Sequence, residues 1–388
     1  MTESKSTLRI VHVITGLGIG GAEKMLYKLV KEHSRHNVEI AVISLGPLGP
    51  IGKEIQSLGI CVEALNMKRG RIPGFSVFMK LVAIIRRRNT EVLQGWMYHG
   101  NIAVTIAGFF ITPRPRIYWN IRQSLGSIEV EASLTRKLIR IGAFLSRTPT
   151  TIIYNSRESA RQHTNIGYSN KRSQFIPNGF DISEFSYDDS MRMRVRRELG
   201  VDDDTTLIGH VARFHPKKDH NTFLEAAKTV LEKKSDVMFL GVGRGVEKNN
   251  LSLWRRIEEL QLGKSVILLG EKNDVTSLYT ALDLFVSSSA WGEGFPNCIG
   301  EAMAMGVCCV VTDVGESKSL VGHTGRVVSP GDSKALGREI LNYLDKSEEY
   351  RQICGQKSSK RISETYSIQQ IGKDYLGLYF GSKGNGNI

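Results

Sequence analysis

The run Leu8-Arg-Ile-Val-His-Val-Ile14, followed directly by Thr15-Gly-Leu-Gly-Ile-Gly-Gly-Ala-Glu23, sets the architecture expected of this chain. Its first part is rich in β-branched and apolar residues, and its second part is a cluster of glycines. Apolar residues at helical spacing then continue to Val30. The pattern predicts a strand, a glycine-rich turn and a helix, in that order.

The same alternation continues through the first half of the chain. Strands are predicted at residues 38–45, 91–95, 116–121 and 151–154, and helices around residues 52–58, 76–88, 100–110 and 133–146. Strands that alternate with helices form a mostly parallel sheet with helices on both faces. The first half therefore predicts one such unit.

A second unit is predicted after Phe175-Ile-Pro-Asn-Gly-Phe-Asp181, where proline and Asn-Gly mark a crossing between domains. Its strands are predicted at residues 206–211, 237–242, 266–269, 284–287 and 308–312, and its helices at 222–233, 251–260, 276–281 and 297–305. The expected fold class is α/β, with two doubly wound units that face one another. We expect a first domain over residues 1–177, a second over 178–364, a helix at about 365–380 that packs back on the first, and a disordered tail at 381–388.

The net charge of +13 is unevenly distributed along the chain. Residues 1–175 hold 25 Lys and Arg against 10 Glu and no Asp, which gives about +15, whereas the remaining 27 Lys and Arg against 29 acids give about −2. This asymmetry predicts a polyanionic partner for the first half, either a nucleic acid or an anionic membrane surface. No helix-turn-helix, aromatic RNA-binding strand or zinc module is recognisable, which argues against nucleic acid.

The five cysteines are odd in number and lack CxxC or Cys/His ligand spacing. The sequence therefore predicts neither a disulfide framework nor a zinc site, and a reducing cytoplasm fits best. The first residues contain no apolar signal region, and the longest nearly uncharged stretch, residues 101–112, is too short to span a bilayer. We therefore expect a soluble chain without a spanning helix.

Two glutamates eight residues apart stand out in the second half, in Glu293-Gly-Phe-Pro-Asn-Cys-Ile-Gly-Glu301. Glu293 is expected on a loop at a strand end, and Glu301 about two turns into the following helix. The backbone N–H groups at the start of that helix, from Asn297 to Ile299, favour an anionic phosphate. In the alternative interpretation, Glu293 caps the helix and Glu301 is a solvated acid.

Other polar residues follow predicted strands, where the ligand crevice of an open α/β sheet lies. Arg213 and Lys218 could stabilise a diphosphate whose negative charge increases as a glycosyl bond breaks, although a solvated basic loop has the same composition. Glu271 lies on a polar loop that could hold a base or ribose. The glycine-rich turn completes the set, since backbone can approach a phosphate or sugar at Gly16, Gly20 and Gly21.

Together, the glycine turn, Pro177-Asn-Gly179, Arg213 with Lys218, and Glu293 with Glu301-Ala-Met-Ala-Met-Gly306 resemble the retaining glycosyltransferases of family 4. That family has the GT-B fold, in which two Rossmann-like domains face each other across a cleft. The resemblance covers roughly residues 8–379. It implies transfer of a hexose or N-acetylhexosamine from a nucleotide-sugar, expected to be a UDP-sugar, with retention of anomeric configuration and with no cofactor or essential metal.

The resemblance also implies roles for individual residues. Those matching Arg213 and Lys218 stabilise the donor diphosphate, and the one matching Glu293 contacts the transferred sugar, so these three form the expected catalytic set. The residue matching Glu301 holds the ribose hydroxyls. The expected donor-binding set is Glu301 with Gly294, Phe295, Asn297, Cys298, Ile299, Glu271, Gly20 and Gly21.

The chain departs from the family pattern on the acceptor side. Many relatives carry a histidine after the strand predicted at 116–121, where this chain has Arg122, so the role of Arg122 stays open. His99 follows the preceding strand and could reach the acceptor instead, although a lone histidine is more often structural. The expected acceptor side therefore comprises His99, Arg122 and Gly16.

The basic first half and the resemblance together predict a lipid-linked saccharide as acceptor, met at the inner face of the cytoplasmic membrane during assembly of surface polysaccharide. The helix predicted at 133–146 interleaves apolar and basic residues as a helix on an anionic leaflet would, although a helix packed on a sheet has the same spacing. The alternatives are a sugar-nucleotide epimerase, another GT-B enzyme that makes a small glycoside, or a basic nucleic-acid-binding protein.

Overall fold

The computed structural model describes residues 7–68, 74–125, 128–272 and 274–381. The chain divides into two compact units. Unit 1 extends to Gly179 and resumes at Ile368, and unit 2 comprises Phe180–Ser367. The predicted α/β fold class is confirmed, with one parallel sheet in each unit. Of the tail expected to be disordered at 381–388, residues 382–388 lie outside the described residues.

Unit 1 contains a parallel sheet of seven strands within the described part of the chain. Its strands are β1 (Leu8–Ile14), β2 (Val38–Ser44), β3 (Cys61–Ala64), β4 (Val92–Trp96), β5 (Arg116–Ile121), β6 (Thr151–Tyr154) and β7 (Ser173–Phe175). The helices between them are α1 (Gly21–His33), α2 (Gly49–Ser57), α3 (Phe75–Arg87), α4 (Met97–Gly108), α5 (Ser133–Leu145) and α6 (Arg157–Asn165). The strand order is β3-β2-β1-β4-β5-β6-β7.

Unit 2 contains a parallel sheet of six described strands. Its strands are β8 (Thr206–Val211), β9 (Val237–Val242), β10 (Val266–Leu268), β11 (Leu284–Ser287), β12 (Cys309–Thr312) and β13 (Arg326–Val328), in the order β10-β9-β8-β11-β12-β13. Its helices are α7 (Asp189–Leu199), α8 (His220–Leu231), α9 (Leu251–Glu259), α10 (Thr276–Ala281), α11 (Asn297–Ala304), α12 (Ser317–Val321), α13 (Ser333–Leu344) and α14 (Glu348–Thr365).

The last described helix, α15 (Ile368–Phe380), belongs to unit 1 although it follows unit 2 in the chain. Tyr375 and Tyr379 are fully buried in the core of unit 1. The Tyr375 hydroxyl accepts a hydrogen bond from Asn120 Nδ2 over 2.8 Å, and the Tyr379 hydroxyl donates to Gln94. Helix α15 therefore completes one face of the first sheet.

A buried arginine fixes α7 on the sheet of unit 2. The side chain of Arg196 is 1% exposed and lies 3.3 Å from Asp283 Oδ2 in an ion pair. Its guanidinium also donates to the carbonyl oxygens of Ala281, over 3.0 Å, and of Asp202, over 2.7 Å. A buried charge with these partners is stable only while the whole network is complete.

Candidate functional site

The loops that follow β8 and β11 meet at the carboxyl edge of the sheet in unit 2. In the sheet, β9 and β10 lie on one side of β8, and β11, β12 and β13 lie on the other side. Connections therefore leave on opposite faces at this position, and a crevice opens between the two strands. Lys218 follows β8 and Glu293 follows β11, so the topology brings these two predicted residues together.

Lys218 and Glu293 form an ion pair at this crevice. The Lys218 Nζ donates to Glu293 Oε1, and the Ser289 hydroxyl donates to the same carboxylate oxygen over 2.6 Å. Burial alone would lower the pKa of Lys218, but the adjacent Glu293 carboxylate outweighs it, and the pKa of Lys218 is raised. Lys218 is therefore a positioned cation at neutral pH.

The backbone around Lys218 is tied to the β11 loop. The Ser288 hydroxyl donates to the carbonyl oxygens of Lys218, over 2.9 Å, and of Asp219, over 3.0 Å. The Ala290 N–H donates to the carbonyl oxygen of Lys217 over 2.8 Å. These bonds fix the register between the loop that carries the cation and the loop that carries the carboxylate.

A third loop, after β12, supports the backbone of Glu293. The Glu316 N–H donates to the Gly294 carbonyl oxygen over 3.0 Å, and the Thr312 hydroxyl donates to the Ser289 carbonyl oxygen over 2.6 Å. Gly315 has a φ of +60°, and a Cβ on it would lie 2.5 Å from the Glu293 carbonyl oxygen. Only glycine fits this approach, so Gly315 positions the loop that carries Glu293.

Glu301 lies on α11, but about one turn from its start rather than the predicted two, because the helix begins at Asn297. The hydroxyl of buried Tyr279 donates to Glu301 Oε2 over 3.2 Å and so orients this carboxylate. The alternative in which Glu293 caps α11 is wrong, since the residue before the helix is Pro296 and no side chain caps it.

The side chains of three predicted donor-binding residues, Phe295, Cys298 and Ile299, pack on the core of unit 2. Phe295 and Ile299 are buried, and Phe295 packs against Phe180 with ring centroids 6.2 Å apart. The Ile299 N–H already donates to the Pro296 carbonyl oxygen over 3.2 Å, so the prediction that it faces a phosphate is corrected. Burial raises the pKa of Cys298 to about 12, which makes its thiol neutral.

The loops after β9 and β10 extend the same edge of the sheet. The Phe214 N–H donates to the Arg244 carbonyl oxygen over 2.8 Å, and the Gly243 N–H donates to the Gly270 carbonyl oxygen over 2.8 Å. Arg244 and Glu271 are exposed on these loops, and Arg213 is exposed on the loop after β8. Sequence reasoning missed Arg244, although it follows a strand between two glycines, which is the same signal that led to Arg213.

The glycine turn of unit 1 lies at the corresponding switch point, between β1 and β4. No described atom lies within 4 Å of a Cβ built on Gly16. Gly20 precedes α1, and a Cβ there would meet the Glu23 carboxylate, whose pKa is raised by burial. Gly21 is the first residue of α1. These predicted positions therefore present backbone rather than charged side chains.

Arg122 is part of an internal network in unit 1. Its Nε donates to Asn178 Oδ1 over 3.0 Å, and its Nη2 donates to the Pro177 carbonyl oxygen over 3.1 Å. Its Nη1 donates to Asn120 Oδ1 over 3.0 Å and to the Tyr375 hydroxyl over 2.8 Å. The guanidinium thus joins the end of β5 to the crossing segment and to α15, which favours a structural role over the predicted acceptor contact.

His99 is the third residue of α4 and lines an apolar groove rather than a polar crevice. Burial lowers its pKa, so the imidazole is mostly neutral near pH 7. The groove also contains Leu45, Phe78 and Ile102. Within the described ranges, no group of three or more His, Cys, Asp or Glu is arranged to hold a metal ion.

Comparison with known proteins gives matches to both units. The profile described as Glycosyltransferase Family 4 matches residues 19–184, and that described as Glycosyl transferases group 1 matches residues 191–361. An Escherichia coli UDP-Gal:alpha-D-GlcNAc-diphosphoundecaprenol alpha-1,3-galactosyltransferase is 33% identical over 201 residues, which are 49% of this chain and 51% of that protein. The chain therefore matches about half the length of this relative.

Two further matches span almost the whole chain. The N-acetyl-alpha-D-glucosaminyl L-malate synthase of Bacillus anthracis is 24% identical over 369 residues, which are 93% of this chain and 94% of that protein. The crystal structure of Anabaena HepE in complex with UDP superimposes with a TM-score of 0.82 at 22% identity, and covers 96% of this chain and 99% of HepE. This structural likeness confirms the GT-B fold.

Proposed function

The chain belongs to the group 1 and family 4 glycosyltransferases, and on this premise we propose that it transfers a hexose or N-acetylhexosamine from a UDP-sugar to a lipid-linked saccharide. Transfer proceeds with retention of anomeric configuration and serves assembly of a surface polysaccharide such as O-antigen, capsule or exopolysaccharide. The observation that carries the proposal is the pairing of Lys218 with Glu293 at the switch point of unit 2.

The chemistry of these two side chains fits glycosyl transfer. As the bond to the sugar breaks, the departing diphosphate gains negative charge, and Lys218 stabilises this charge more strongly in the transition state than in the ground state. Arg213 follows the same strand and adds a second cation. Glu293 hydrogen-bonds the sugar hydroxyls and stabilises positive character at the anomeric carbon.

The nucleoside part of the donor is assigned to Glu301. Its carboxylate is oriented by the Tyr279 hydroxyl at 3.2 Å, and carboxylates in this orientation accept hydrogen bonds from ribose hydroxyls. Exposed Glu271, on the loop after β10, contacts the base or ribose. UDP is proposed as the nucleotide because the Escherichia coli relative is named for UDP-Gal and HepE was crystallised with UDP.

A lipid-linked acceptor is supported by two observations. The Escherichia coli relative is named for an acceptor on diphosphoundecaprenol. The first 175 residues carry about fifteen excess positive charges, as a domain working at an anionic leaflet would. We accordingly place the enzyme in the cytoplasm, peripherally on the inner face of the membrane. Among the described residues, no helix combines the length and apolarity needed to cross a membrane.

A small soluble acceptor is the second candidate. It is favoured by the Bacillus anthracis relative, which is named for a malate glycoside and matches this chain almost from end to end. The donor site would be unchanged in this case. Only the dependence of the reaction on lipid would differ, which makes the two candidates separable in one assay.

Release of nucleoside diphosphate from UDP-, GDP- and ADP-sugars, with and without a membrane lipid extract, tests the proposal. We expect extract-dependent release from one UDP-sugar that is lost in Lys218→Ala and Glu293→Gln but retained in Lys228→Ala, an exposed lysine on α8. Turnover without extract, or only with malate-like acids, would favour a small acceptor or an epimerase. Absence of release from every donor would contradict the proposal.

We also propose that transfer needs no divalent metal, because Lys218 and Arg213 supply the cations that a metal would otherwise provide. Dialysis against EDTA should leave the initial rate unchanged within about twofold. A rate that falls at least tenfold and returns on addition of Mg²⁺ or Mn²⁺ would show that these side chains do not suffice.

A further inference from the structure

One surface of unit 1 exposes an unusual amount of apolar side chain. Helices α3, α4 and α5 lie side by side, since α3 contacts α4 and α4 contacts α5. Large apolar residues on all three face the solvent, with Phe75 80% and Phe144 77% exposed. We call this surface the three-helix face and define it by Phe75, Met79, Ile106, Phe110, Ile141 and Phe144. Large exposed apolar side chains on three adjacent helices indicate an interaction site.

The charged residues on the three helices themselves are all positive. Helices α3, α4 and α5 contain no aspartate or glutamate. Their exposed cations include Lys80, Lys137 and Arg140. The complementary surface is therefore apolar within and anionic at its rim, which describes a leaflet of anionic lipid.

Helix α5 carries both apolar and basic residues on its exposed side, but they are not the apolar residues that the sequence pattern emphasised. Of the apolar residues that suggested this helix, Leu134, Leu138 and Leu145 pack on the core of unit 1, whereas Ile141 is exposed. The outward side instead carries Lys137, Arg140, Ile141 and Phe144, which are exposed at helical spacing. Long basic side chains can hold their charged ends at lipid headgroups while neighbouring apolar groups enter the acyl region.

An apolar groove of about 510 Å³ runs between α3 and α4. Its lining includes Phe75, Phe78, Ile102, Ile106, Phe110 and Leu138. Leu45 and His99 also line it, and the Leu45 N–H donates over 2.8 Å to the carbonyl oxygen of Ile14, the last residue of β1. One end of the groove therefore lies at the carboxyl edge of the sheet, where the glycine turn begins.

We propose that the three-helix face docks unit 1 on an anionic leaflet and that the groove receives the hydrocarbon chain of the lipid-linked acceptor. This inference rests on the proposed function, because the occupant of the groove is the acceptor of that reaction. A chain in the groove directs the diphosphate of the same lipid toward the glycine turn, where unhindered backbone at Gly16 can approach it. The groove thus orients the acceptor as well as binding it.

Flotation with vesicles of phosphatidylcholine, with and without 30% phosphatidylglycerol, tests the docking face. The double variant Phe75→Ser, Phe144→Ser should bind anionic vesicles about tenfold less than the parent chain or less still. Leu251→Ser is the matched control, because Leu251 is 76% exposed but lies on unit 2. The double variant Lys137→Gln, Arg140→Gln should lose most of the preference for anionic over neutral vesicles. Equal binding by the parent and the phenylalanine variant would overturn the assignment of the face.

Crosslinking tests the groove. Anionic vesicles doped with a phosphatidylglycerol that carries a diazirine at the end of one acyl chain should label α3 and α4, as mapped by mass spectrometry. Ile106→Trp fills the groove from an exposed position and should reduce this labelling severalfold while its melting temperature stays unchanged. Because Ile106 also belongs to the three-helix face, labelling is compared per vesicle-bound chain. Labelling spread evenly over both units, or unaffected by Ile106→Trp, would overturn the groove assignment.

The nucleotide-release assay separates failure of this inference from failure of the proposed function. If the parent chain transfers sugar to a lipid acceptor but the phenylalanine variant does so equally well and still floats, the docking assignment is wrong and the function stands. If docking and labelling occur as expected but no donor is consumed, the acceptor role of the groove is wrong along with the proposed function.

Discussion

The two units share one sheet design but present different chemistry at its carboxyl edge. At the switch point of unit 2, three loops hold a partly buried ion pair, Lys218 with Glu293, and the Ser289 hydroxyl that donates to the same carboxylate. At the switch point of unit 1, the chain places glycines and bare backbone. The same topology therefore places charged side chains at the switch point of one unit and exposed main chain at that of the other.

The outer surfaces of the two units also differ, in their charge and in their exposed apolar area. Unit 1 holds the excess of positive charge and an exposed apolar surface on three adjacent helices, whereas acidic and basic residues nearly balance after residue 175. A unit that binds a nucleotide needs a few positioned charges in its crevice. A unit that works at a lipid surface needs charge and apolar area spread over its outside. The difference supports the proposed division into a unit that carries the chemistry and a unit that docks on a membrane, and the following experiments test that division.

The largest effect is expected from the arginine at the centre of a hydrogen-bond network in each unit. Arg196→Met in unit 2 should lower the local free energy of unfolding by about 3–5 kcal/mol, because Asp283 and several carbonyl groups lose a buried partner. Arg122→Met in unit 1 should cost about 1–3 kcal/mol, since its side-chain partners Asn120, Asn178 and Tyr375 are buried but uncharged. Hydrogen exchange resolved by peptide measures the two units separately.

Arg194→Met is the control for both arginine variants, because Arg194 lies on the same helix as Arg196 but is exposed. It should change stability by less than about 0.5 kcal/mol. Equal losses for Arg122 and Arg196 would mean that the two units depend on their arginine networks to the same extent.

The next effect concerns activity. Lys218→Ala should lower kcat by about 10²–10³, the range found when one group that stabilises developing charge is removed. Gly16→Val should instead raise the KM for acceptor and leave kcat within about threefold, because it adds bulk where no described atom lies within 4 Å. Initial rates at varied donor and acceptor measure both. A loss of kcat in Gly16→Val as large as that in Lys218→Ala would break the division of roles.

Acid should destabilise unit 1 more than unit 2. Burial lowers the pKa of His12 to about 3 and those of His33 and His163 to about 4 in unit 1, and lowers those of His210 and His220 to about 4 and about 3 in unit 2. Below the unfolded pKa of about 6.5 the unfolded chain binds protons that the folded chain excludes, so stability is full above this pH and is lost as pH falls toward 4.

At pH 5 each of these buried histidines lowers the free energy of unfolding by about 2 kcal/mol. Unit 1 has three of them and unit 2 has two, so unit 1 should lose about 2 kcal/mol more stability than unit 2. Hydrogen exchange between pH 7 and pH 5 measures the difference, after correction for the intrinsic exchange rate. Replacing His163 with Gln should remove about one third of the pH-dependent loss in unit 1 and none in unit 2. A greater acid loss in unit 2 would contradict this account.

The smallest effect is one of thiol reactivity. Cys61 in unit 1 is exposed, whereas burial raises the pKa of Cys298 in unit 2 to about 12, so its thiol is protonated at pH 8. Ellman's reagent at pH 8 should therefore modify Cys61 first, and Cys61→Ser should remove the fast phase without altering activity. Modification of Cys298 on the same timescale would show that the start of α11 is more open than the structure indicates.

Much of the fold was predictable because its central strands are strongly apolar and regularly spaced. Strands β5, β6, β8 and β9 have the bounds that the sequence predicted. The elements that sequence reasoning missed include the sheet-edge strands β3, β7 and β13. An edge strand has a neighbour on one side only and can keep polar residues, so its apolar signal is weak.

Helices α6 and α7 were missed for a related reason. Both are mainly polar, and caps define their starts, with the Ser156 hydroxyl accepting from the Ser159 N–H and Asp188 accepting from two N–H groups of α7. A helix cap is a single Ser or Asp, and the same residues are common in loops, so the sequence alone does not reveal the cap. Hydrophobic periodicity therefore located the helices that pack on the sheets better than those held by capping.

The sequence predicted the main residues of the site but not the residues that position them. Strand ends pointed to Lys218 and Glu293, and the structure joins them. Tyr279 and Gly315 act through contacts with residues distant in sequence, Glu301 and Glu293, which no local pattern displays. Ser289 lies on the same loop as Glu293, but its sequence does not distinguish it from an ordinary loop serine. Arg122 is the opposite case. Its position in the sequence suggested an acceptor contact, but its guanidinium is hydrogen-bonded to Asn178, Asn120 and Tyr375, which lie in three separate parts of the chain.

The return of α15 to unit 1 has a consequence for the order in which a ribosome completes the protein. Tyr375 and Tyr379 fill the core of the first sheet, yet they are synthesised after all of unit 2. Unit 2, which ends at Ser367, can therefore close while unit 1 still lacks one of its layers. During synthesis, Gln94 and Asn120 therefore lack their tyrosine partners until α15 has been made. Unit 1 leaves the ribosome first but is the last unit to complete its fold.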